Sequence, residues 1–262
     1  MAETPFTLTK WYLDCVSSVG DTAILYSATV GWRGITIHYC SLLTANAGQV
    51  RTRTSMSRGS VGGDADWINV RLRRLEVEGE WRGRGRPYSA KVYEGNEGIV
   101  EWNCLQPQSR VRLRIGDATL EGLGYAECLT MTVLPWRLPM QELRWGRFVS
   151  EDHALAWIDW RGPYEEKFAV LDGERCQLTD AGEETIEASG ASVRMSDSLP
   201  LRTGKVGVTV LPAAPRLRRL LPRALAGIEE HKWRSCGVLH MDGSISRGWA
   251  IHEVVHWDLE ND

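Results

Sequence analysis

The sequence has no stretch that approaches the ~18 consecutive apolar residues of a membrane-spanning helix. The first ten residues, MAETPFTLTK, include neither a cationic segment nor an apolar segment of a secretion signal. Both absences favour a cytoplasmic protein. The six cysteines form no Cys-x-x-Cys pair, and their even number alone does not indicate a disulfide framework. We therefore expect reduced, packed thiols.

The motifs of the common cofactor and metal enzymes are also missing. The sequence has no phosphate-binding loop, no Gly-x-Ser-x-Gly elbow and no complete dinucleotide fingerprint. His252 and His256 are four residues apart, which places them ~13 Å apart along a strand, too far to share a metal. The segment Asp64-Ala65-Asp66 lacks the glycine and the terminal glutamate of a calcium loop. We expect no metal and no cofactor.

No excess of positive charge indicates a nucleic-acid-binding protein, because the net charge is −3. The segment from Arg71 to Lys91 holds seven basic and three acidic residues around Trp81 and Tyr88. Arg71 and Arg73 alternate with Leu72, however, as on the solvated face of a strand. We therefore expect no nucleic-acid partner.

Phenylalanine is scarce, with 3 residues against 12 tryptophans. Short runs of β-branched and aromatic residues recur along the chain, and turn signals such as Asp172-Gly173 and Asp242-Gly243 separate them. This pattern predicts an all-β protein with short antiparallel connections. Because strongly curved sheets tend to close or split near ~10 strands, two antiparallel β-barrel lobes are favoured over one barrel. We place them at residues 1–115 and 116–262.

One segment, 215–228, has leucines at helical spacing and arginines between them, and Pro222 limits its length. It predicts one short helix. A helix that packs across the open end of a barrel is favoured, and transient contact with an anionic membrane surface is the alternative. The sequence leaves the oligomeric state open.

Charged residues fall on otherwise apolar strand faces in the second half of the chain. If 125–133 is a strand, its period of two places Glu127 beside Tyr125, Leu129 and Met131. The same count places Arg147 beside Trp145 and Val149, and Glu253 beside Trp249 and Ile251. A buried charge costs several kcal/mol, roughly, unless it is paired or used. These residues predict a site or a structural ion pair.

Glu127 is the first candidate for catalysis, because a carboxyl group on an apolar face has a raised pKa and can donate a proton. The alternative is an ion pair with Arg147 on a neighbouring strand. Glu253 is a candidate base, provided that it shares a cavity with Glu127 rather than lying in the other lobe. Asp14 and Asp159 lie near strand ends, where acids usually bind backbone amides or water.

Three segments of the sequence are distinctive: Trp11-Tyr12-Leu13-Asp14, the run from Gly122 to Glu127, and the run from Gly248 to Glu253. Together they resemble the hydroxyneurosporene synthase (carotenoid 1,2-hydratase) family of lipocalin-like proteins. Many members carry Gly-Tyr-His-Asp where this chain has Gly124-Tyr125-Ala126-Glu127, so the carboxylate is retained and the histidine is not. The resemblance implies two lipocalin-like lobes and a hydrophobic cavity.

The resemblance also implies hydration of polyene isoprenoids or cyclisation of polyketide-type polyenes, in the biosynthesis of a carotenoid or another natural product. The favoured hypothesis is therefore a cofactor-independent hydratase or cyclase with a hydrophobic small-molecule substrate. The alternative is a non-catalytic carrier that uses the same cavity. The candidate catalytic residues are Glu127, Tyr125, Arg147 and Glu253, and the candidate substrate-binding residues are Trp11, Asp14, Trp145, Trp157, Asp159 and Trp249.

Overall fold

The computed structural model describes residues 6–205 and 228–257. Within these ranges the chain forms nineteen strands and two short 3-10 helices, and every strand pairing is antiparallel. The chain divides into two compact units, Met1–Leu138 and Pro139–Asp262. The prediction of an all-β protein with two antiparallel β lobes is confirmed. The predicted helix at 215–228 lies outside the described residues, except for Ile228.

The first unit holds one ten-stranded sheet. Its strands are β1 Thr7–Val16, β2 Thr22–Trp32, β3 Ile35–Asn46, β4 Gln49–Ser55, β5 Ser60–Gly63, β6 Trp67–Leu72, β7 Val77–Gly83, β8 Tyr88–Gly95, β9 Gly98–Ile115 and β10 Ala118–Met131. They follow the order β4-β3-β2-β1-β10-β9-β7-β6-β5, and β8 pairs with β9. The 3-10 helix Arg73–Leu75 connects β6 to β7, and the 3-10 helix Pro135–Arg137 follows β10.

The second unit holds one nine-stranded sheet. Its strands are β11 Glu142–Ser150, β12 Ala154–Arg161, β13 Glu166–Leu171, β14 Glu174–Cys176, β15 Leu178–Ala181, β16 Thr185–Ala188, β17 Ala191–Lys205, β18 Glu229–Met241 and β19 Ser244–His256. They follow the order β14-β13-β12-β11-β19-β18-β17-β16-β15. As in the first unit, most sheet neighbours are also neighbours in sequence, which is the arrangement that hairpins produce.

The turn chemistry explains two of these hairpins. Asp172 and Gly173 have φ angles of 49° and 83°, and Asp242 and Gly243 have φ angles of 46° and 79°. Two consecutive residues with positive φ are what a type I′ turn requires, and such turns match the twist of the flanking strands. The hairpins predicted from these Asp-Gly pairs, β13–β14 and β18–β19, are confirmed.

The predicted domain boundary at 115/116 is wrong. Gly116, with a φ of 57°, lies in the tight turn between β9 and β10, and these two strands pair along most of their length. Since β10 also pairs with β1, it belongs to the first sheet, and the units separate after Leu138. The turn signal at Gly116 marks a hairpin and not the end of a domain.

Each unit has its own apolar core on one face of its long strands. In the first unit the core includes Leu13 of β1, Leu25 of β2 and Ala126 of β10. In the second unit it includes Phe148 of β11 and Ala250 of β19. Because side chains alternate across a strand, residues with the other parity lie on the opposite face. This second face carries Asp14 and Glu127 in the first unit, and Arg147 and Glu253 in the second. Asp159 instead has the parity of the core residue Trp157.

Candidate functional site

The first candidate site lies where β1 and β10 pair, on the face opposite the core of the first unit. The register places Tyr12 opposite Glu127, and Asp14 opposite Tyr125. All four residues are buried, with 0% of Asp14 and Tyr125 and 8% of Glu127 exposed. The sequence analysis predicted that Glu127 is buried, and the structure confirms it. Glu127 was expected on the apolar face of its strand, but the apolar core lies on the opposite face, on the side of Ala126.

Hydrogen bonds join these residues into two carboxylate–phenol pairs. The Tyr125 hydroxyl donates to Glu127 Oε2 at 2.7 Å, and the Trp102 indole N–H donates to the same oxygen. On the neighbouring strand the Tyr12 hydroxyl donates to Asp14 Oδ2 at 3.0 Å. The rings of Tyr12 and Tyr125 pack edge to face, with centroids 6.0 Å apart. Both acids are therefore held in fixed positions by hydroxyl groups two residues away on their own strands.

The strand that carries Glu127 is irregular at this point. The β9–β10 register shifts between Gly124 and Ala126 and again between Ala126 and Glu127, and the second shift brings Glu127 opposite Cys104. Such irregularities re-aim side chains and recur beside active sites. Here the register brings Cys104 and Trp102 of β9 to the buried carboxylate.

The phenol of Tyr125 and the thiols around Glu127 stay protonated at neutral pH. Burial raises the pKa of Tyr125 well above its ordinary value, and the nearby Cys104 and Glu127 raise it further. Burial also raises the pKa of Cys104, and it raises that of Cys128 to about 11. Tyr125 is therefore a constant hydrogen-bond donor to Glu127. Two donors on Oε2 stabilise the ionised carboxylate, an effect that opposes the desolvation on which the sequence argument relied.

Arg147 lies in the second unit and is 1% exposed. Its Nη1 donates to the backbone oxygen of Trp249 on the adjacent strand β19, at 2.5 Å. The expectation that Arg147 and Glu127 occupy neighbouring strands of one sheet is wrong, because β10 pairs with β1 and β9 while β11 pairs with β12 and β19. Their ion pair stays a prediction.

Glu253 belongs to a buried charge network that the sequence analysis missed. Lys232 of β18, 2% exposed, contacts Glu253 directly and lies 3.4 Å from Glu230. Glu230 is also 3.3 Å from Arg202 of β17. The alternative in which Glu127 and Glu253 lie in different units is confirmed. Because the Glu253 carboxylate is paired with the Lys232 ammonium group, its charge is already neutralised.

The predicted substrate-binding residues do not form one group. Trp157 belongs to the core of the second unit, and Trp11 packs against the core of the first. Asp159 is buried and forms an ion pair with Arg161 at 2.6 Å. The ring of Trp145 lies 5.7 Å from the Lys232 ammonium group, and Arg234 lies 4.6 Å from the ring of Trp249. Only Asp14 joins the cluster around Glu127 within the first unit.

Six residues of the two clusters were not predicted as site residues: Tyr12, Trp102, Cys104, Arg202, Glu230 and Lys232. Trp102 and Cys104 alternate with polar residues on β9, and this alternation indicates that their side chains are buried. It does not indicate which strand lies beside β9. Lys232 and Glu230 are two residues apart on β18, so they share one strand face. This spacing was a usable signal for an ion pair. Long-range pairing between strands supplies the missing information.

A surface depression of about 420 Å³ lies elsewhere, at the hairpins of the second unit. Its lining comes from the β16–β17 and β18–β19 turns and includes His240 and Asp242. It shares no residue with either cluster. Within residues 6–205 and 228–257 no three His, Cys, Asp or Glu side chains are grouped to hold a metal ion. No helix in these ranges is long and apolar enough to cross a membrane.

Known structures share this two-unit all-β fold, although no family model and no curated protein sequence matches the chain. Kievitone hydratase from Nectria haematococca is 8% identical, with a TM-score of 0.57 over 96% of this chain and 89% of its own. An AttH-like protein from Nitrosomonas europaea is 9% identical, with a TM-score of 0.55 over 95% and 92% of the two chains.

CghA, crystallised with Sch210972, is also similar. It is 9% identical, with a TM-score of 0.58 over 98% of this chain and 90% of its own. At these identities the likeness shows a common fold and leaves the reaction open. The two-lobed lipocalin-like architecture implied by the sequence resemblance is thereby confirmed.

Proposed function

We propose that the protein is a cofactor-independent enzyme that encloses a hydrophobic polyene, isoprenoid or polyketide-type molecule and promotes its protonation, hydration or cyclisation. The observation that carries this proposal is the buried Glu127 carboxyl group, held by Tyr125 and Trp102 on a face that the apolar core does not use. A fold shared with a protein named as a hydratase supports the same class of reaction.

Glu127 would act as the proton donor. In its protonated form it transfers the proton to an alkene carbon, and the carboxylate that remains keeps the hydrogen bonds from Tyr125 and Trp102. A hydrogen bond to a charged group contributes about 1.5–3 kcal/mol, more than one to a neutral group. Both bonds therefore strengthen as the negative charge develops, which lowers the barrier to proton transfer.

The second half of the reaction returns the proton to Glu127. In a hydration, water attacks the cationic carbon and its surplus proton passes to the carboxylate. In a cyclisation, a neighbouring double bond attacks instead and the carboxylate removes a proton from carbon. Either sequence leaves Glu127 protonated for the next turnover.

The other candidate residues have weaker roles in this proposal. Arg147 remains a charge-stabilising candidate, whereas Glu253 is paired with Lys232 and is a poorer choice of base. The ring faces of Trp145 and Trp249 would each stabilise a carbocation by ~0.5–2 kcal/mol if they were open to a substrate. Protein cations, Lys232 and Arg234, already lie over these rings.

The test compares the wild type with Glu127→Gln and with Glu121→Gln, a matched control because Glu121 is exposed on the same strand. Each protein is incubated with geraniol, farnesol and lycopene, isoprenoids of increasing length, and the mixtures are analysed by liquid chromatography and mass spectrometry. We expect the wild type and Glu121→Gln to form a product that is isomeric or heavier by one water.

Glu127→Gln should lose this activity by at least roughly a hundredfold, the usual contribution of a general acid. A probe that binds unchanged to all three proteins would instead establish the alternative, a carrier. Equal turnover by Glu127→Gln and the wild type would remove Glu127 from the reaction.

A further inference from the structure

A β-bulge in the second unit brings an exposed serine to a buried histidine. Along β17 and β18, Ser196 lies opposite Cys236, and the next paired residues are Leu199 and Arg234. Asp197 and Ser198 thus share the position opposite Ser235. Asp197 has a φ of 50°, in the left-handed region that non-glycine residues seldom adopt. Bulges re-aim side chains and are frequent beside active sites.

Hydrogen bonds connect the bulge to the interior. Ser198 Oγ lies 2.8 Å from Ser235 Oγ, which lies 2.9 Å from His252 Nε2. Ser198 is exposed, whereas Ser235 is 0% and His252 5% exposed. The three side chains therefore form a continuous chain from solvent to a buried imidazole.

The protonation state of His252 sets the donor-to-acceptor direction of these hydrogen bonds. Burial lowers its pKa to about 4, so the imidazole is neutral at pH 7 and one ring nitrogen can accept a proton. The ring is stacked on Trp233, with centroids 5.3 Å apart, which fixes its plane. When Nε2 accepts from Ser235, the Ser235 oxygen accepts from Ser198. The Ser198 proton then points inward and its lone pairs face solvent.

We propose that Ser198 is a nucleophile for activated acyl and phosphoryl donors, with Ser235 and His252 as its proton relay. The Ser198 oxygen bonds to the carbonyl carbon or phosphorus while its proton moves to Ser235, and the Ser235 proton moves to His252 Nε2. The leaving group departs with the electrons of its bond, and His252 then returns the proton to the leaving group or to solvent. Water hydrolyses the acyl-serine to complete a turnover.

The burial of His252 limits the class of substrate. An imidazole that binds a proton weakly is a weak base, so the site suits donors with good leaving groups, such as aryl esters, thioesters and phosphoryl fluorides.

The test uses a biotinylated alkyl fluorophosphonate on the full-length protein, with peptide mass spectrometry to locate the label. The variants are Ser198→Ala, Ser235→Ala and His252→Gln, and Ser196→Ala is the matched control because Ser196 is exposed on the same strand. We expect the label on Ser198 in the wild type and in Ser196→Ala. Its rate of incorporation should fall roughly a hundredfold in Ser235→Ala and in His252→Gln.

Two results would overturn the proposal. One is the absence of label at Ser198 in the wild type. The other is labelling of Ser198 at an unchanged rate in Ser235→Ala, which would make it an ordinary exposed serine. Ser235→Ala decides the outcome if His252→Gln does not fold, because it removes a single oxygen atom. Unfolding midpoints of all variants separate loss of reactivity from loss of structure.

Discussion

The hydrogen bond between Tyr125 and Glu127 yields the most specific energetic prediction. Tyr125→Phe removes one oxygen, which lies 2.7 Å from Glu127 Oε2, and both residues are almost fully buried. In its ionised form, Glu127 keeps its bond from Trp102 and loses one charge-assisted bond when Tyr125 is replaced. Such a bond contributes about 1.5–3 kcal/mol. We therefore expect a coupling free energy of about 2 kcal/mol between the two side chains.

A double-mutant cycle isolates this quantity. Tyr125→Phe, Glu127→Gln and the double variant are unfolded in urea, and the free energies of unfolding are compared. The contact between Tyr125 and Cys104 is lost in both backgrounds, so it cancels from the coupling. Because the two units need not unfold together, the transition that Tyr125→Phe shifts is the one to analyse.

A control cycle pairs Tyr125→Phe with Glu121→Gln, at an exposed position near the start of the same strand. We expect its coupling to be close to zero. A Tyr125–Glu127 coupling below about 0.5 kcal/mol would refute the reasoning, because it would mean that the carboxyl group gains no more from Tyr125 than a neutral amide does.

Three further predictions concern the second unit. The pKa of His252 is lowered from 6.5 to about 4, so the unfolded chain binds its proton first, and stability is lost as the pH falls from 6.5 towards 4. The loss should be roughly 3 kcal/mol smaller in His252→Gln, measured by urea unfolding at pH 7 and pH 4. Lys232→Met leaves Glu253 and Glu230 without their shared cation and should destabilise the unit by about 3–5 kcal/mol. An unchanged melting temperature would show that the network carries no net stability. Gly146→Ala places a methyl group 2.2 Å from the ring of Trp157 and should lower the free energy of unfolding by about 1–3 kcal/mol. The control Gly62→Ala, with open space around it, should lower it far less. Equal melting temperatures of the two variants would contradict this packing.

The all-β class and several hairpins could be predicted from the sequence because they depend on local chemistry. Asp172-Gly173 and Asp242-Gly243 adopt the positive φ angles that their residue types favour. The same local signal misled the analysis at Gly116, where an ordinary hairpin turn was interpreted as a domain boundary. A turn residue specifies a reversal of the chain, and only the pairing of β10 with β1 shows to which unit the strand belongs.

The burial of Glu127 was predictable from alternation along one strand, but its partners were not. Trp102 is 25 residues away in sequence and reaches Glu127 through the register of β9 and β10, which contains two shifts. Lys232 reaches Glu253 through the pairing of β18 and β19. A single sequence carries no information on such pairings. Periodicity therefore identified the buried charges and could not tell catalytic candidates from ion pairs.

The central claim is that Glu127 transfers a proton to a carbon atom of a hydrophobic substrate. The most direct measurement incubates the wild type, Glu127→Gln and Glu121→Gln with a converted isoprenoid in heavy water, and determines carbon-bound deuterium by mass spectrometry and NMR. For a hydrated product, we expect one deuterium on carbon per turnover with the wild type and Glu121→Gln, and none above background with Glu127→Gln. Deuterium incorporation at the wild-type rate by Glu127→Gln would exclude Glu127 as the proton donor.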